Sequence, residues 1–237
     1  MSRTAFFLSF LLVISGAAYS ADDGITSNRS FIWAHPDMYW RILGQDSLEA
    51  GRLDEAFNHF RKSARYADKA SQALIAEMLW NGTGVTQDRP LAYAWMDLAA
   101  ERGYEDLLVV REQYWRALSA EEQGRALEVG ESVYAEYGDA VAQPRMNSEL
   151  RRAKNKVTGS HLGRVGTLSI PGAINEHGTQ RSLDVASLGS TTDGSIFFAD
   201  KYWNPKLYWE WQDVQWKEGK TGRVEVLPIQ SLPASGN

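Results

Sequence analysis

The sequence predicts a mainly helical fold, a short α-solenoid of helical hairpins followed by a small β-rich or mixed α/β C-terminal region. Part of the first half of the chain matches itself at a shift of 36 residues. The helical hydrophobic patterns in that part end at glycines, which is typical of helix C-termini. After Pro144 the pattern changes to short β-like runs separated by turn residues. These three observations predict the fold class.

The first twenty residues, MSRTAFFLSFLLVISGAAYS, read as a signal peptide. One early charge, Arg3, precedes an apolar run at 5–14, and Ala18 with Ser20 fits a small-x-small cleavage site. We expect a mature chain that begins at Ala21, with an uncleaved anchor as the alternative. The apolar run is shorter than a membrane-spanning helix requires, and nothing later resembles a stop-transfer segment, so no stable membrane insertion is expected. The chain has no cysteine, which suits a Gram-negative periplasm better than a disulfide-forming secretory route.

Two helical hairpins are predicted from residue 37 onward, after an N-terminal extension at 21–36. Apolar residues at helical spacing place the first at 37–50 and 53–66, and the second at 71–80 and 88–102. Small residues at matching positions suit the contact between two helices, and large ones fill the groove. The coincident pairs are Ala56 with Ala92, Phe57 with Tyr93, Phe60 with Met96, Ser63 with Ala99, and Ala64 with Ala100.

The stretch NGTGVTQDRP at 81–90 reads as a structural turn and not as a phosphate cradle. Gly82 and Gly84 can take a positive φ at little cost, so the chain can reverse direction between two helices. Val85 can fill the apolar gap between them. Asp88 is a natural N-cap, and Pro90 follows in the first turn, where its missing N–H costs nothing.

Residues 72–107 resemble a Sel1-like repeat, a relative of the tetratricopeptide repeat. The residues that carry the resemblance are Gly82, Gly84, Val85, Asp88, Ala92, Trp95 with Met96, Ala99 with Ala100, and the closing Gly103. Ala76 stands where the family usually has glycine. The resemblance implies an α-solenoid that binds another protein or peptide, and it implies no chemistry. Because single repeats need neighbours to bury their faces, the repeat domain is expected to extend over 37–143.

A third helix pair and a different C-terminal region complete the predicted organisation. The pair spans 105–118 and a helix that opens with a capping box at Ser119 and Glu122 and ends at Gly138. A polar connecting segment is predicted at 144–160, with a partly helical form as the alternative, and a small β-rich or mixed domain at 161–237. Its β-like runs are 165–170, 182–188, 195–199 and 223–227, with a short helix beginning at Asn204 and Pro205.

Four tryptophans lie within the fourteen residues from Trp203 to Trp216. We interpret Trp203 and Trp211 as core residues, since Trp211 shares a helix face with Leu207 and Val214. Trp209 lies about 200° away around the helix and is expected to point elsewhere. The candidate binding residues of this segment are Trp209 and Trp216, with Tyr208 beside them.

The motifs of common enzyme classes are missing from the sequence. The four histidines lack metal-binding spacing, no G-x-S-x-G elbow occurs, and Val214 stands where a P-loop before Gly219 would need glycine. We therefore predict no catalytic residue, cofactor or metal. The net charge is −5, or −6 once Arg3 is removed, so no nucleic-acid partner is expected. The one dense basic stretch, RRAKNK at 151–156, reads as a solvated linker or helix end and not as a polyanion site.

Three functions remain open from the sequence. The first is an exported adaptor that binds another protein, with Arg61, Gln72 and Glu77 as candidate exposed contacts on the solenoid. One form of it, implied by the resemblance only, is a periplasmic immunity-type protein that neutralises a toxic effector. The second is a cell-wall or glycan-binding protein that uses the C-terminal tryptophans. The third is a hydrolase with an unrecognised site in the C-terminal region.

Overall fold

The computed structural model describes residues 12–14, 25–157, 169–170, 192–218 and 224–226. In chain order the elements are β1 (Leu12–Ile14), α1 (Arg29–Ala34), α2 (Pro36–Glu49), α3 (Leu53–Ala64), α4 (Lys69–Asn81), α5 (Arg89–Ala99), α6 (Glu105–Ala117), α7 (Ala120–Tyr137), α8 (Asp139–Val157), β2 (Ser169–Ile170), β3 (Thr192–Asp193), α9 (Gly194–Phe197), α10 (Asp200–Trp203), α11 (Pro205–Lys217) and β4 (Val224–Val226). Single 3₁₀ turns lie at Ile25–Ser27 and Ala100–Arg102. Among these described helices, none is both long enough and apolar enough to cross a bilayer.

The predicted solenoid is confirmed as a row of packed helices that contains the two predicted hairpins. Helix α2 packs along α3 and α4 along α5, while α3 contacts α4 and α5 contacts both α6 and α7. One continuous apolar core runs through the row from Ala56 to Tyr137. The 36-residue periodicity corresponds to equivalent core positions, since Ala56 and Ala92 are both fully buried, as are Phe60 and Met96.

The glycine-rich turn has the geometry that the sequence predicts. Gly82 ends α4 in the left-handed region, with φ 70°, and Gly84 has φ 71°. Asp88 caps α5 by accepting a hydrogen bond from the Leu91 N–H at 3.1 Å, and Gly103 closes the repeat with φ 74°. Val85 packs against the core between the helices.

The helices predicted as a third pair, α6 and α7, begin and end where the sequence predicts, but each packs mainly on α5 and not on the other. The Ser119 side chain accepts from the Glu122 N–H, and the Glu122 carboxylate accepts from the Ser119 N–H at 2.8 Å. This reciprocal capping satisfies two N–H groups that have no partner inside the helix.

The connecting segment expected at 144–160 is helical as far as Val157, in agreement with its partly helical alternative, because it belongs to α8. The helix continues through Pro144, although an internal proline removes one backbone hydrogen bond. Buried Ala142, Met146 and Leu150 recur every four residues and are fully buried. Burial of this stripe outweighs the polar composition on which the linker prediction rested. The division at 143/144 into separate domains stays a prediction.

The described part of 161–237 is mainly helical, so a β-rich region is not shown. The strand predicted at 195–199 is wrong, because Gly194–Phe197 is helical and buries Phe197 against Phe31 and Trp203. Strand β2 covers only Ser169–Ile170 and pairs with β3. Strand β4 pairs with β1, which lies inside the predicted signal peptide. The run at 182–188 lies outside the described residues.

Helix α11 is confirmed, with Asn204 capping it through the Lys206 N–H at 3.0 Å and Pro205 in its first turn. Its buried face differs from the one that the sequence predicts. Tyr208 is fully buried, whereas Val214 is 46% exposed. The helix packs on both polar and apolar groups, among them Asp37 and Leu150, so hydrophobic spacing alone selected a face rotated away from the real contact.

Candidate protein-binding site

Helix α11 lies along one edge of the solenoid, which we call the loop edge. The loop edge consists of the first turns of α2, α4 and α6 and the ends of the helices that precede α4 and α6. Its residues in contact with α11 or lining the cavity beneath it are Asp37, Asp68, Lys69, Arg102, Tyr104 and Asp106. The segment that the sequence singled out as a binding platform is therefore docked on the repeats of its own chain.

Tyr208 and Gln212 hold the first half of α11 against the start of α2. The Tyr208 hydroxyl donates to Asp37 Oδ2, and the Gln212 amide donates to the same oxygen at 3.2 Å. These two residues lie four apart, so they share one helix face. Tyr208 is fully buried and acts here as an intramolecular anchor.

Trp216 continues that face one turn later. Its ring stacks on Tyr104, with centroids 4.7 Å apart and planes 10° apart, and its indole N–H donates to Asp106 Oδ1 at 3.1 Å. The Tyr104 hydroxyl donates to Asp213, which lies on α11 between Gln212 and Trp216. Trp216 remains partly exposed.

Trp209 does not point away from the protein, because α8 covers it. Its indole N–H donates to Asn147 Oδ1 at 3.0 Å, and the Arg102 guanidinium lies 4.8 Å from its ring centroid. Such a cation–π contact stabilises by about 0.5–2 kcal/mol. The Trp209 side chain remains partly exposed.

The charged groups beneath α11 form close ion pairs. Arg41 contacts Asp68 at 2.7 Å, with both side chains less than a tenth exposed. Lys69 contacts Glu101 at 2.8 Å and Asp139 at 3.0 Å. Burial lowers the pKa of Lys69, and the two carboxylates oppose that effect. Removing one member of a buried pair would leave the other charge buried and unpaired, which costs about 3–5 kcal/mol.

Asp37 is the incompletely satisfied group of this network. Burial raises the pKa of its carboxyl to about 6, with the Tyr208 hydrogen bond opposing the shift. Its second oxygen, Oδ1, is buried without a hydrogen-bond partner among the described residues. The neighbouring cavity is about 10 Å³, which accommodates about one water molecule and no larger ligand.

His35 ties the N-terminal extension to the C-terminal helices. Its Nδ1 lies 2.7 Å from the Phe31 carbonyl oxygen, and its Nε2 lies 3.1 Å from the Tyr202 carbonyl oxygen. A neutral imidazole has one N–H, so it can donate to only one of them. Burial lowers the pKa of His35 to about 4, which keeps the ring neutral near pH 7.

The three solenoid contacts that the sequence suggested have different environments. Arg61 is exposed, with its guanidinium 3.2 Å from the Tyr137 hydroxyl, and Glu77 is half-buried. The expected exposure of Gln72 is wrong, because its side chain is fully buried. Its amide donates to the Tyr137 carbonyl at 3.3 Å, so Gln72 joins α4 to the end of α7.

Sequence reasoning missed the acceptor side of the α11 contact. Asp37 and Tyr208 are 171 positions apart, and no local pattern links them. The sequence did contain one indirect signal: acidic residues stand at the starts of α2, α4 and α6.

Within the described ranges, no group of three or more His, Asp or Glu side chains could hold a metal ion. His35 and His59 both contact backbone carbonyl oxygens, and His59 Nδ1 also lies 3.3 Å from the hydroxyl oxygen of buried Ser47. The His59 contacts join α3 to α2, and the His35 contacts join α1 to α10.

Comparison with known proteins identifies the repeat. Residues 69–104 match the family model of the Sel1 repeat, and the helical structure agrees with a Sel1- or tetratricopeptide-like repeat protein. The matched segment runs from the first residue of α4 to Tyr104 on the loop edge. Neither the curated proteins nor the solved structures contain a match to the chain. Sel1 repeats mediate protein–protein interaction, which indicates an adaptor.

Proposed function

We propose that this protein is an exported, non-catalytic adaptor that binds another protein through its helical repeats in the periplasm. The observation that carries the proposal is the Sel1 repeat at 69–104, whose helices α4 and α5 lie in the middle of the solenoid. The turn residues of the repeat all have structural roles. The exposed surface of the repeats is therefore the part that can serve function.

Export is supported by the sequence of residues 1–20 and by the lack of cysteine throughout the chain. The N-terminal residue of the purified protein tests this directly. We expect Ala21 at the N-terminus and recovery in the periplasmic fraction. A chain that begins with Met1 in the cytoplasmic fraction would contradict export.

A narrower form of the proposal is an immunity-type protein whose partner is a toxic effector. Its support is the family resemblance. Neutralising an effector requires a stable complementary surface and no catalytic group, which agrees with a solenoid whose segments are joined by buried ion pairs.

The candidate contact residues contribute in two ways under this proposal. Arg61 and Glu77 lie on the solenoid and can reach a partner directly. Trp209 and Trp216 are only partly exposed, and buried Tyr208 positions α11 from within. A partner would therefore meet the repeats and the outer side of α11 together.

Site-specific photo-crosslinking in the living cell tests the adaptor function. A photo-reactive amino acid is placed at Arg61, at Glu77 and, as a control, at exposed Arg116 near the end of α6. We expect Arg61 and Glu77 to give the same discrete adduct, a second protein identified by mass spectrometry.

The control position separates a specific surface from general proximity. Equal adducts at Arg116, or no protein adduct at any position, would contradict the adaptor function. Co-sedimentation with peptidoglycan in place of a protein adduct would favour the glycan-binding alternative.

A further inference from the structure

A row of aromatic side chains crosses the outer surface of α1 and α2. Trp33 is 62% exposed, and it is the one aromatic residue among the exposed large apolar side chains of the described part. Its ring lies edge-on to Tyr39 at 5.9 Å, and Tyr39 lies edge-on to Trp40 at 5.0 Å. Exposed tryptophan reduces solubility, so such a row indicates a surface that another molecule covers.

An open groove runs beside this row, between α1, the end of α3 and α8. It is lined by Trp33, Ala34, Pro36, Tyr66, Glu149, Arg152 and Ala153, and its volume is about 310 Å³. That space accommodates one or two large side chains and is close to the lower limit for a small-molecule pocket. The walls are mostly apolar, whereas the rim is charged.

The rim of the groove is positively charged. Burial raises the pKa of the Tyr66 hydroxyl, and nearby Glu149 adds to the rise. The nearby cations Arg65, Arg145 and Arg152 lower this pKa. Lys62 extends the same charge along the aromatic row, with its ammonium 4.2 Å from the Trp40 ring centroid. Arg151, next to Arg152 in the basic stretch of α8, is also exposed.

The ion pairs at this rim are exchangeable. Arg152 pairs with Glu149 at 2.8 Å and Arg65 with Glu136 at 2.6 Å, with all four side chains between about a third and two thirds exposed. Exposed pairs of this kind contribute about 0–1 kcal/mol, so an incoming carboxylate can replace Glu149 or Glu136 at little cost. This basic rim stands on a chain whose net charge is −5, which favours an acidic partner at this face over other faces.

We propose that this aromatic–basic surface, formed by Trp33, Tyr39, Trp40, Tyr66, Lys62, Arg65, Arg145 and Arg152, binds an acidic segment of a partner protein. One large apolar side chain of that segment enters the groove beside Trp33, and flanking carboxylates meet Arg152 and Arg65. The inference rests on the proposed adaptor function and names the chemistry of its partner. Tryptophan and arginine together dominate the energetics of protein interfaces, which favours a protein occupant.

A random peptide library displayed on phage and selected against the full-length protein tests this surface. We expect the enriched peptides to carry net negative charge around a large apolar residue. A synthetic copy of an enriched peptide should lose about tenfold or more in affinity in Trp33→Ala, an exposed position whose loss spares the fold. Arg152→Glu should weaken binding similarly and reduce its dependence on NaCl between about 0.05 and 0.5 M.

Two matched variants control for general effects. Leu127→Ala removes a side chain that is 61% exposed, close to the exposure of Trp33, but lies on α7. Arg116→Glu makes the same charge change on α6. Both should change the affinity by less than about twofold.

Several outcomes would overturn the inference. They are enriched peptides without acidic bias, equal binding by Trp33→Ala and the wild type, or Trp33-dependent binding only to phosphatidylglycerol vesicles or to muropeptides. If crosslinking at Arg61 still captures a protein while these peptide tests fail, the adaptor function stands and this surface is not its binding site. If neither experiment yields a protein ligand, the adaptor function fails with it.

Discussion

At the scale of single residues, Gly84 illustrates how the repeat depends on close backbone contact. A Cβ at Gly84 would lie 2.3 Å from Leu53 Cβ and 2.9 Å from the Leu53 carbonyl carbon. The turn after α4 therefore touches the first residue of α3, which joins the two hairpins. Gly103 has a similar φ of 74° but open space around it.

We expect Gly84→Ala to destabilise the protein by about 3 kcal/mol or more, because backbone strain and a clash add together. Gly103→Ala should cost only about 1–2 kcal/mol, because it carries the strain alone. Urea unfolding of both variants measures the difference. Equal losses would show that the approach to Leu53 relaxes freely.

His35 and Asp37 lie two residues apart and titrate in opposite senses. Burial raises the pKa of Asp37 from 3.8 to about 6, so its contribution to stability is complete below pH 3.8 and is lost as the pH rises to 6. Burial lowers the pKa of His35 from 6.5 to about 4, so its contribution is complete above pH 6.5 and is lost as the pH falls to 4. Between pH 4 and 6 the two effects cancel.

Asp37→Asn should remove this cancellation. The amide oxygen can still accept from Tyr208 and Gln212, while the buried charge disappears, so we expect a gain on the order of 1–3 kcal/mol at pH 7. The free energy of unfolding should then rise between pH 4 and 6.5 by as much as about 1.4 kcal/mol per pH unit, relative to the wild type. Chemical denaturation across this pH range checks it, with Asp54→Asn on the exposed side of α3 as the control. A slope unchanged from the wild type would contradict the linkage.

At the scale of elements, local signals predicted the helices well because caps and glycines act within one turn. The boundaries of α3, α7 and α11 follow from Gly51, the Ser119 capping box and Asn204. What α11 contacts could not be predicted from the same signals. Two of its partners, Asn147 and Asp37, lie 62 and 175 positions away and are selected by tertiary packing.

The strand predicted at 195–199 shows the opposite limit. Ile196 and Phe197 suit a β-strand by composition, but Phe197 is fully buried among Phe31, Phe198 and Trp203. Short apolar runs do not distinguish a buried strand from a buried helical turn. The environment supplied by α1 and α10 decides the conformation.

Trp209 and Trp211 test how α11 is held. Both rings are partly buried, Trp209 against Arg102 and Asn147, and Trp211 against Tyr202 at 5.2 Å. We expect Trp209→Ala and Trp211→Ala each to cost about 2–4 kcal/mol, somewhat less than full core truncation. Thermal melts of both variants measure this. A Trp209→Ala variant as stable as the wild type would restore the sequence-based expectation that this ring serves binding alone.

At the scale of the whole molecule, the N-terminal extension packs against the C-terminal helices α9 and α10. Ile25 and Phe31 of the N-terminal extension share one buried cluster with Phe197, Tyr202 and Trp203. Met146 and Leu150 of α8 share another with Tyr208. The solenoid, the extension and the C-terminal helices therefore stabilise one another, and a partner that binds near Trp33 also contacts the element that carries Phe31.

A chain shortened to residues 21–145 tests this mutual support. It lacks Met146, Leu150 and all of α9 to α11, so it leaves Phe31 and Met38 without their apolar neighbours. We expect its Tm to fall by more than about 5 °C, with binding of a hydrophobic dye at temperatures where the full chain binds none. A chain that ends at residue 218 keeps α11 and serves as the control, with a Tm near that of the full chain. If the 21–145 chain unfolds cooperatively at the temperature of the control, the repeats are stable alone, and α8 and α11 are additions that the solenoid does not need.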